Sequence, residues 1–430
     1  MSAQKREEST LFVVTEGQST WMSCRTITAN LLKAYQQVQP KAPILEHPKS
    51  PDPVSVLNLA EKIWSLRPKK VVFLDHFPHP GQALRALHRI YQDSVLPDLF
   101  VHIYGCFTLY PREWLESESV LKGQRLKFIC ASTRQESLIR QFLIPTDGGT
   151  GVCPFPVDNK IFHFDPKRRD AWRQEHGFKT KTPLIAYSGR LSLQKNSIEL
   201  LKTMEEVLAQ TPEAQFVIAG TADDIGAPFF GVQFPRGYFP SEWNRALQKA
   251  QSKFPGRIHY LGHLPTEKLA SFYNGTDIQV SLSLHHDEDF GMAPAEGLCC
   301  GQAAVLTSWG GYAGFEGLNG DCRLIPVYQT SEGYGLERAK AVQMIFEQIQ
   351  GINEVVSKRS ARANRYQSRF SVQAVSGRLQ EQLGQRPGVF RGFNRTLHQY
   401  AQFYKTGSPY YGDRERGEFY GKVYEHYIKD

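Results

Sequence analysis

The sequence predicts an α/β protein of two doubly wound domains with a helical extension at its carboxyl end. Three observations carry that reading. Short apolar, β-branched runs alternate with helical stretches, the pattern that builds a parallel sheet. The alternation comes in two series separated by a polar stretch. And 430 residues exceed one core at roughly 100–200 residues per domain.

The first series opens with Leu11-Phe12-Val13-Val14 as a strand, a loop at Thr15–Ser19 and a helix near Thr26–Tyr35. Val71–Leu74 and Leu99–Ile103 follow as strands. Phe128–Ser132 is another, leading into a helix that carries Leu138, Ile139 and Phe142. The second series runs through Pro183–Tyr187, Ala214–Gly220, Ile258–Gly262 and Ile278–Leu284. The boundaries that follow are 1–165 for the first domain, 166–181 for a Lys/Arg-rich linker, 182–385 for the second domain and 386–430 for a Tyr/Arg-rich tail. Both domains are Rossmann-like, with ligands expected in a cleft at the carboxyl ends of the strands.

Charge narrows the partners. The chain has 51 basic against 43 acidic residues, net +8, with an isoelectric point of about 9.0, which favours anionic ligands. A nucleoside diphosphate and an acidic lipid surface both fit. The basic residues are spread along the chain without a nucleic-acid motif, so no nucleic acid is expected. No apolar stretch long enough for a signal peptide follows the polar Met1–Thr10 segment, so none is expected, and no run nears the roughly 20 apolar residues of a membrane span. Seven cysteines form neither a zinc spacing nor a disulfide framework, so a reducing cytoplasm is the expected setting and no metal is expected.

The chemistry concentrates in His285–Gly297. Glu288 and Glu296 stand eight positions apart, after a strand and at the start of a helix, with Pro294 suited to the first helical position. Between them Phe290, Gly291 and Met292 offer backbone N–H groups at the positive end of the helix dipole, which suits an anionic, polyhydroxylated ligand. The plainer reading of Glu296 alone is a dipole or capping residue. A second cluster, Ser188–Asn196, places Arg190 and Lys195 beside another helix start, where Asn196 or Ser197 can cap the face of Ile198, Leu201, Met204 and Leu208. A guanidinium fork and a point charge can together neutralise a diphosphate.

The string E-D-F-G-M-A-P-A-E at 288–296 resembles the E-x7-E signature of retaining GT-B glycosyltransferases, particularly family 4, with Asp289 where glycine is commoner. Gly189-Arg190-Leu191, with Lys195, is similar to that family's phosphate-binding G-R-L-x-x-x-K-G. Gly262-His263-Leu264-Pro265, with Leu269 and Tyr273, is similar to its base-binding turn. Cys153–Asp158 with Phe162 resembles the segment that closes the first domain, without its Asn-Gly. The resemblance covers roughly residues 128–318 well and the first 127 poorly.

The resemblance implies a GT-B pair of domains and a nucleotide-diphospho-sugar as donor substrate, with no cofactor. Arg190 and Lys195 would stabilise the departing diphosphate. Glu296 would take the ribose hydroxyls, and Glu288 with the Phe290–Met292 amides the sugar. Gly189 and the Gly262-His263-Leu264 turn would line the donor site. In the first domain the family's Gly-Gly loop is reduced to Gly17, beside Glu16. Asp75 and His76, at the end of the strand over 71–74, are the best sequence candidates for contact with the reacting sugar, although a loop histidine beside prolines is as often structural. Tyr104-Gly105 lacks the usual His-Gly, and Gly310-Gly311 keeps the family's G-G while Tyr312–Gly314 departs from it.

The reading is a retaining, metal-independent hexosyltransferase acting on a glycan, lipid-linked or small-molecule acceptor. A catalytically silent sugar-nucleotide-binding protein and a GT-B-like epimerase or phosphorylase stay open. The tail reads as a helix returning to the first domain with tyrosines as amphipathic cover. Its sharper reading is a peripheral contact at the inner face of the membrane.

Overall fold

Strands buried on both faces read as near-continuous apolar runs, because helices cover both sides of a parallel sheet. That is the pattern of both sheets in the computed structural model, which describes residues 9–15, 17, 22–50, 52–76, 78–91, 96–104, 107–109, 111–193, 195–224, 237–285, 288–316, 320–331, 333–405 and 421–428. The chain divides into two compact units. One comprises Met1–Pro156 with Val372–Gly407, the other Val157–Ser371 with Ser408–Asp430.

The first unit runs β1 (Thr10–Thr15), α1 (Met22–Val38), β2 (Ile44–His47), α2 (Pro53–Leu66), β3 (Lys70–Phe73), α3 (Gly81–Tyr91), β4 (Asp98–His102), α4 (Pro111–Leu121), β5 (Leu126–Cys130), α5 (Thr133–Arg140) and β6 (Thr150–Val152). Its sheet is parallel in the order β2-β1-β3-β4-β5-β6. The order reverses between β1 and β3, so the loops holding Gly17 and Asp75-His76 leave the sheet at its topological switch point.

The second unit begins with α6 (Pro166–Glu175) and continues β7 (Leu184–Ser188), α7 (Ser197–Gln210), β8 (Gln215–Ala219), α8 (Tyr238–Lys253), β9 (Ile258–Tyr260), α9 (Thr266–Gly275), β10 (Ile278–Ser281), α10 (Met292–Cys299), β11 (Ala303–Thr307) and β12 (Cys322–Ile325). A hairpin, β13 (Val327–Thr330) and β14 (Gly333–Leu336), leads to α11 (Arg338–Gln350), α12 (Ile352–Ser357) and α13 (Arg359–Phe370). The main sheet is ordered β12-β11-β10-β7-β8-β9, with its switch point between β7 and β10. The chain then returns to the first unit as α14 (Val372–Gly384) and α15 (Arg395–Lys405).

Four boundaries differ from the sequence reading. Residues 157–165, expected in the first domain, belong to the second unit. Residues 166–175 of the expected linker form α6, capped by Asp165, whose carboxylate accepts from Lys167 N at 2.9 Å, with Pro166 at the first position. The polar composition misleads because two of its arginines are buried. Arg169 and Arg173 reach the carboxylate of Asp277 at 2.8 and 2.6 Å, joined by Arg359 at 3.3 Å. Residues 372–385, expected in the second domain, belong to the first unit, where α14 packs with α1 and buries Val375, Leu379 and Leu383. The tail divides: α15 lies on α4 in the first unit, while residues 421–428 belong to the second.

Candidate active site

The loop after β7 is held by its backbone. Gly189, at φ +142°, donates from N to Ala219 O, and a Cβ on Gly220 would stand 1.8 Å from Gly189 O. Gly220 N in turn donates to Gly262 O at 2.7 Å. Three glycines thus bring the ends of β7, β8 and β9 into backbone contact: a side chain on Gly220 would block it, and all three have a positive φ that other residues rarely adopt. Tyr187 donates its hydroxyl to Arg190 O at 2.6 Å, and Leu191 N donates to Thr221 O. Arg190 is half-buried, near enough to Tyr187 for its charge to act on the phenol.

Asn196 occupies the cap position of α7 without capping it. Its backbone is left-handed at φ +55°, and its side-chain amide donates to Leu282 O at 3.2 Å, tying the helix start to the end of β10. Ser197 completes the turn by accepting from Ser192 N at 2.8 Å. In that turn Lys195 Nζ lies 2.5 Å from Glu288 Oε2, so the two predicted clusters meet in one ion pair.

Glu288 is 6% exposed. Its carboxylate also faces the Tyr312 hydroxyl, whose pKa is held well above the usual phenol range, first by burial and then by that negative charge. Gly291 begins α10 in the left-handed region at φ +100°, with no side-chain cap, and a Cβ there would strike the Tyr312 ring at 2.5 Å. The N-terminal N–H groups of an α-helix lack intrahelical acceptors. Here the turn of Gly291 and Met292 presents the positive end of the helix, while the Phe290 ring packs against Phe315 and Phe370. α10 starts at Met292, two residues earlier than expected, so Pro294 is its third residue and Glu296 its fifth. Proline costs nothing there, because that N–H has no helical partner.

Glu296 is set deeper in a polar chain. Tyr273 Oη donates to Oε2 at 3.2 Å, lies 2.8 Å from Ser188 Oγ, and Gln279 Nε2 donates to that same Oγ at 3.1 Å. Burial raises the Glu296 pKa to about 8, partly offset by the Tyr273 hydrogen bond. The folded state therefore favours the neutral acid, and the stability this group contributes is full below its ordinary value of 4.5 and declines as pH rises to about 8. Glu296→Gln should consequently leave the melting temperature unchanged near pH 5 and raise it near pH 8.5, with a gain of about 1–3 kcal/mol. Parallel thermal melts at the two pH values check this. A variant that melts lower at pH 8.5 would contradict it.

The remaining predicted residues fall as follows. Gly262 is left-handed at φ +67°, His263 is exposed and Leu264 half-buried, all at the end of β9. Gly189, Arg190, Lys195, Gly262–Leu264, Glu288, Phe290–Met292 and Glu296 thus share the carboxyl edge of one sheet. Gly17, exposed at φ +63°, and Asp75 with His76 sit at the carboxyl edge of the other. Glu16 and Gly105 lie outside the described residues. His76 Nδ1 accepts from Tyr104 N at 3.2 Å and lies 3.6 Å from Asp75, and burial lowers its pKa to about 3. It is a neutral imidazole.

The sequence reading missed Gln279, Gly220 and Tyr312. A glutamine inside the apolar run Ile278–Leu284 is a usable signal, because a buried polar side chain on a central strand needs a partner. Nothing in the pattern marks Tyr312. Among the described residues, no three His, Cys, Asp or Glu side chains cluster as a metal site, and no helix is long and apolar enough to cross a membrane.

Two doubly wound units, each with a parallel six-stranded sheet, give the chain a GT-B-like fold. Residues 168–332 match the family model described as glycosyl transferases group 1. Over 191 residues the chain is 29% identical to a D-inositol 3-phosphate glycosyltransferase of Xylanimonas cellulosilytica, covering 43% of this chain and 41% of that protein. It is 28% identical over 169 residues to the GDP-mannose-dependent monoacylated alpha-(1-6)-phosphatidylinositol monomannoside mannosyltransferase of Corynebacterium glutamicum, covering 37% and 38%. The chain thus spans about two-fifths of the length of the curated relatives it matches. The crystal structure of Anabaena HepE in complex with UDP aligns with a TM-score of 0.64 at 14% identity, over 87% of this chain and 99% of that one.

Proposed function

We propose that the chain is a retaining glycosyltransferase that moves a hexosyl unit from a nucleotide-diphospho-sugar to a glycan, lipid-linked or small-molecule acceptor, without a metal ion. The observation that carries this reading is the convergence of Lys195, Glu288 and the uncapped start of α10 at the switch point of one sheet, with Glu296 in the same helix. Arg190 and Lys195 supply two positive charges for the diphosphate leaving group. The α10 amides add the helix dipole. Lys195 holds Glu288 in the site as it stands, so a bound diphosphate takes over part of that lysine and releases the carboxylate toward the sugar.

Glu296, a neutral acid in the unliganded fold, accepts from two ribose hydroxyls once the bound donor draws it into its ionised form. The rest of the work is electrostatic stabilisation and positioning of the acceptor on the face the nucleotide leaves. In the first unit, His76 is neutral and can offer hydrogen bonds without adding charge. The names of the relatives put GDP and UDP first among donors to try.

Calorimetric titration with UDP, GDP, ADP, CDP and TDP tests the donor site, and donor hydrolysis without acceptor separates an enzyme from a silent binding protein. Binding of none of the five would defeat the reading. Turnover should persist in excess EDTA. The test matters because Asp287-Glu288-Asp289 is a run of carboxylates. A strict manganese or magnesium requirement would remove Arg190 and Lys195 from the leaving-group role.

A further inference from the structure

The last described turn of the chain, Tyr424–Tyr427, is buried against the donor-site loop. Tyr427, fully buried, donates its hydroxyl to Asp289 Oδ1. Asp289, 4% exposed, is the residue between Glu288 and Phe290, where the resembled family more often has glycine.

The contact is part of a layered arrangement. Gly311 N donates to Glu288 O at 2.7 Å, and a Cβ on Gly311 would lie 2.1 Å from Asp289 O. A Cβ on Gly310 would meet Glu288 O at 2.4 Å and the Tyr427 ring at 2.9 Å. The Glu288 backbone, the glycine pair and the Tyr427 ring are therefore stacked without room for a methyl group. Trp309, fully buried, donates from its indole to His285 O at 2.7 Å. Its ring packs between Tyr334, Tyr424 and Tyr427, with centroids 4.6, 6.3 and 5.2 Å away. Tyr334 Oη donates to Gly421 O at 2.5 Å, anchoring the segment from the other side.

We propose that Tyr427 is a positioning residue for the donor site: through Asp289 it fixes the backbone from Glu288 to Gly291, and with it the Glu288 carboxylate and the α10 amides. The proposal rests on the donor-site reading above. A glycine at 289 leaves such a loop to its own conformational freedom, whereas here Tyr427 ties it down. Removing the hydroxyl loosens the loop without removing the ring that fills the space.

The experiment uses the full chain with Tyr427→Phe, Asp289→Ala and the double variant. Amide hydrogen exchange in the peptide spanning 285–292 should quicken in Tyr427→Phe without ligand. Whichever of UDP and GDP binds the wild type should bind this variant about tenfold more weakly. The double variant should bind no worse than Asp289→Ala alone, because one interaction has been removed twice. A role limited to general packing predicts lower melting temperatures, unchanged exchange at 285–292 and unchanged affinity, and that result overturns the proposal. If the wild type binds neither nucleotide, the donor reading falls, and the exchange result alone decides whether Tyr427 holds the loop.

Discussion

Arg190→Ala combined with Lys195→Ala is expected to abolish the rise in melting temperature that a nucleoside diphosphate gives the wild-type chain. Each substitution removes a charge-assisted contact worth about 1.5–3 kcal/mol, so together they weaken binding by roughly 10²–10⁴-fold. Ligand-induced stabilisation depends on ligand concentration relative to Kd, and a loss of that size leaves nothing to measure at millimolar nucleotide. The Lys195–Glu288 pair at 2.5 Å adds a second effect. Without Lys195 the 6%-exposed Glu288 loses its counter-ion, so the double variant should also melt lower on its own. Adding Glu288→Gln should restore that apo stability without restoring the shift. Retention of the full nucleotide shift in the double variant would refute the diphosphate role.

Asp277→Ala should give the largest loss of stability in the molecule. The side chain is 1% exposed and accepts from Leu184 N at 3.0 Å as well as from Arg169, Arg173 and Arg359. Truncating it leaves three buried guanidinium groups facing one another. Removing one partner of a buried pair costs about 3–5 kcal/mol, which for a unit of this size lowers the melting temperature on the order of 10 °C. Burial already lowers the Arg359 pKa to about 9 against the opposing pull of Asp277, so without the carboxylate its charge is harder still to keep. Scanning calorimetry would record the change. A shift under about 2 °C would mean that the carbonyls bonded by Arg173 and Arg359 suffice without the carboxylate.

The strands of the second unit were legible as apolar runs, and its candidate site residues lie in contiguous strings. Gly189–Lys195 and Glu288–Glu296 each carry their chemistry within nine residues, and the strand before each is an apolar run. Short or edge strands were not legible: β2, Ile44–His47, and β6, Thr150–Val152, are four and three residues long, too short for alternation to register. Helix α6 was hidden by arginines that look solvated in sequence and are buried in the fold. The Lys195–Glu288 pair and the Ser188–Tyr273–Glu296 chain join residues 93, 85 and 23 positions apart, and no local pattern encodes such meetings. The same holds for Tyr427 and Asp289, 138 positions apart.

Both units wait for the far end of the chain. The first sheet gains Leu126 N to Gly388 O and Ile144 N to Gly392 O from residues some 250 positions downstream, and its aromatic layer of Trp114, Phe128 and Phe142 is closed by Phe390, Phe393 and Tyr400. The second is closed over Trp309 by Tyr424 and Tyr427. Contacts this distant in sequence form late, and a growing chain exposes the apolar faces they cover until residues 388–427 have been made. A nascent chain stalled at residue 371 would therefore hold two unfinished cores rather than two finished domains. Cleavage between residues 371 and 421 would leave both cores uncovered and yield aggregation-prone products.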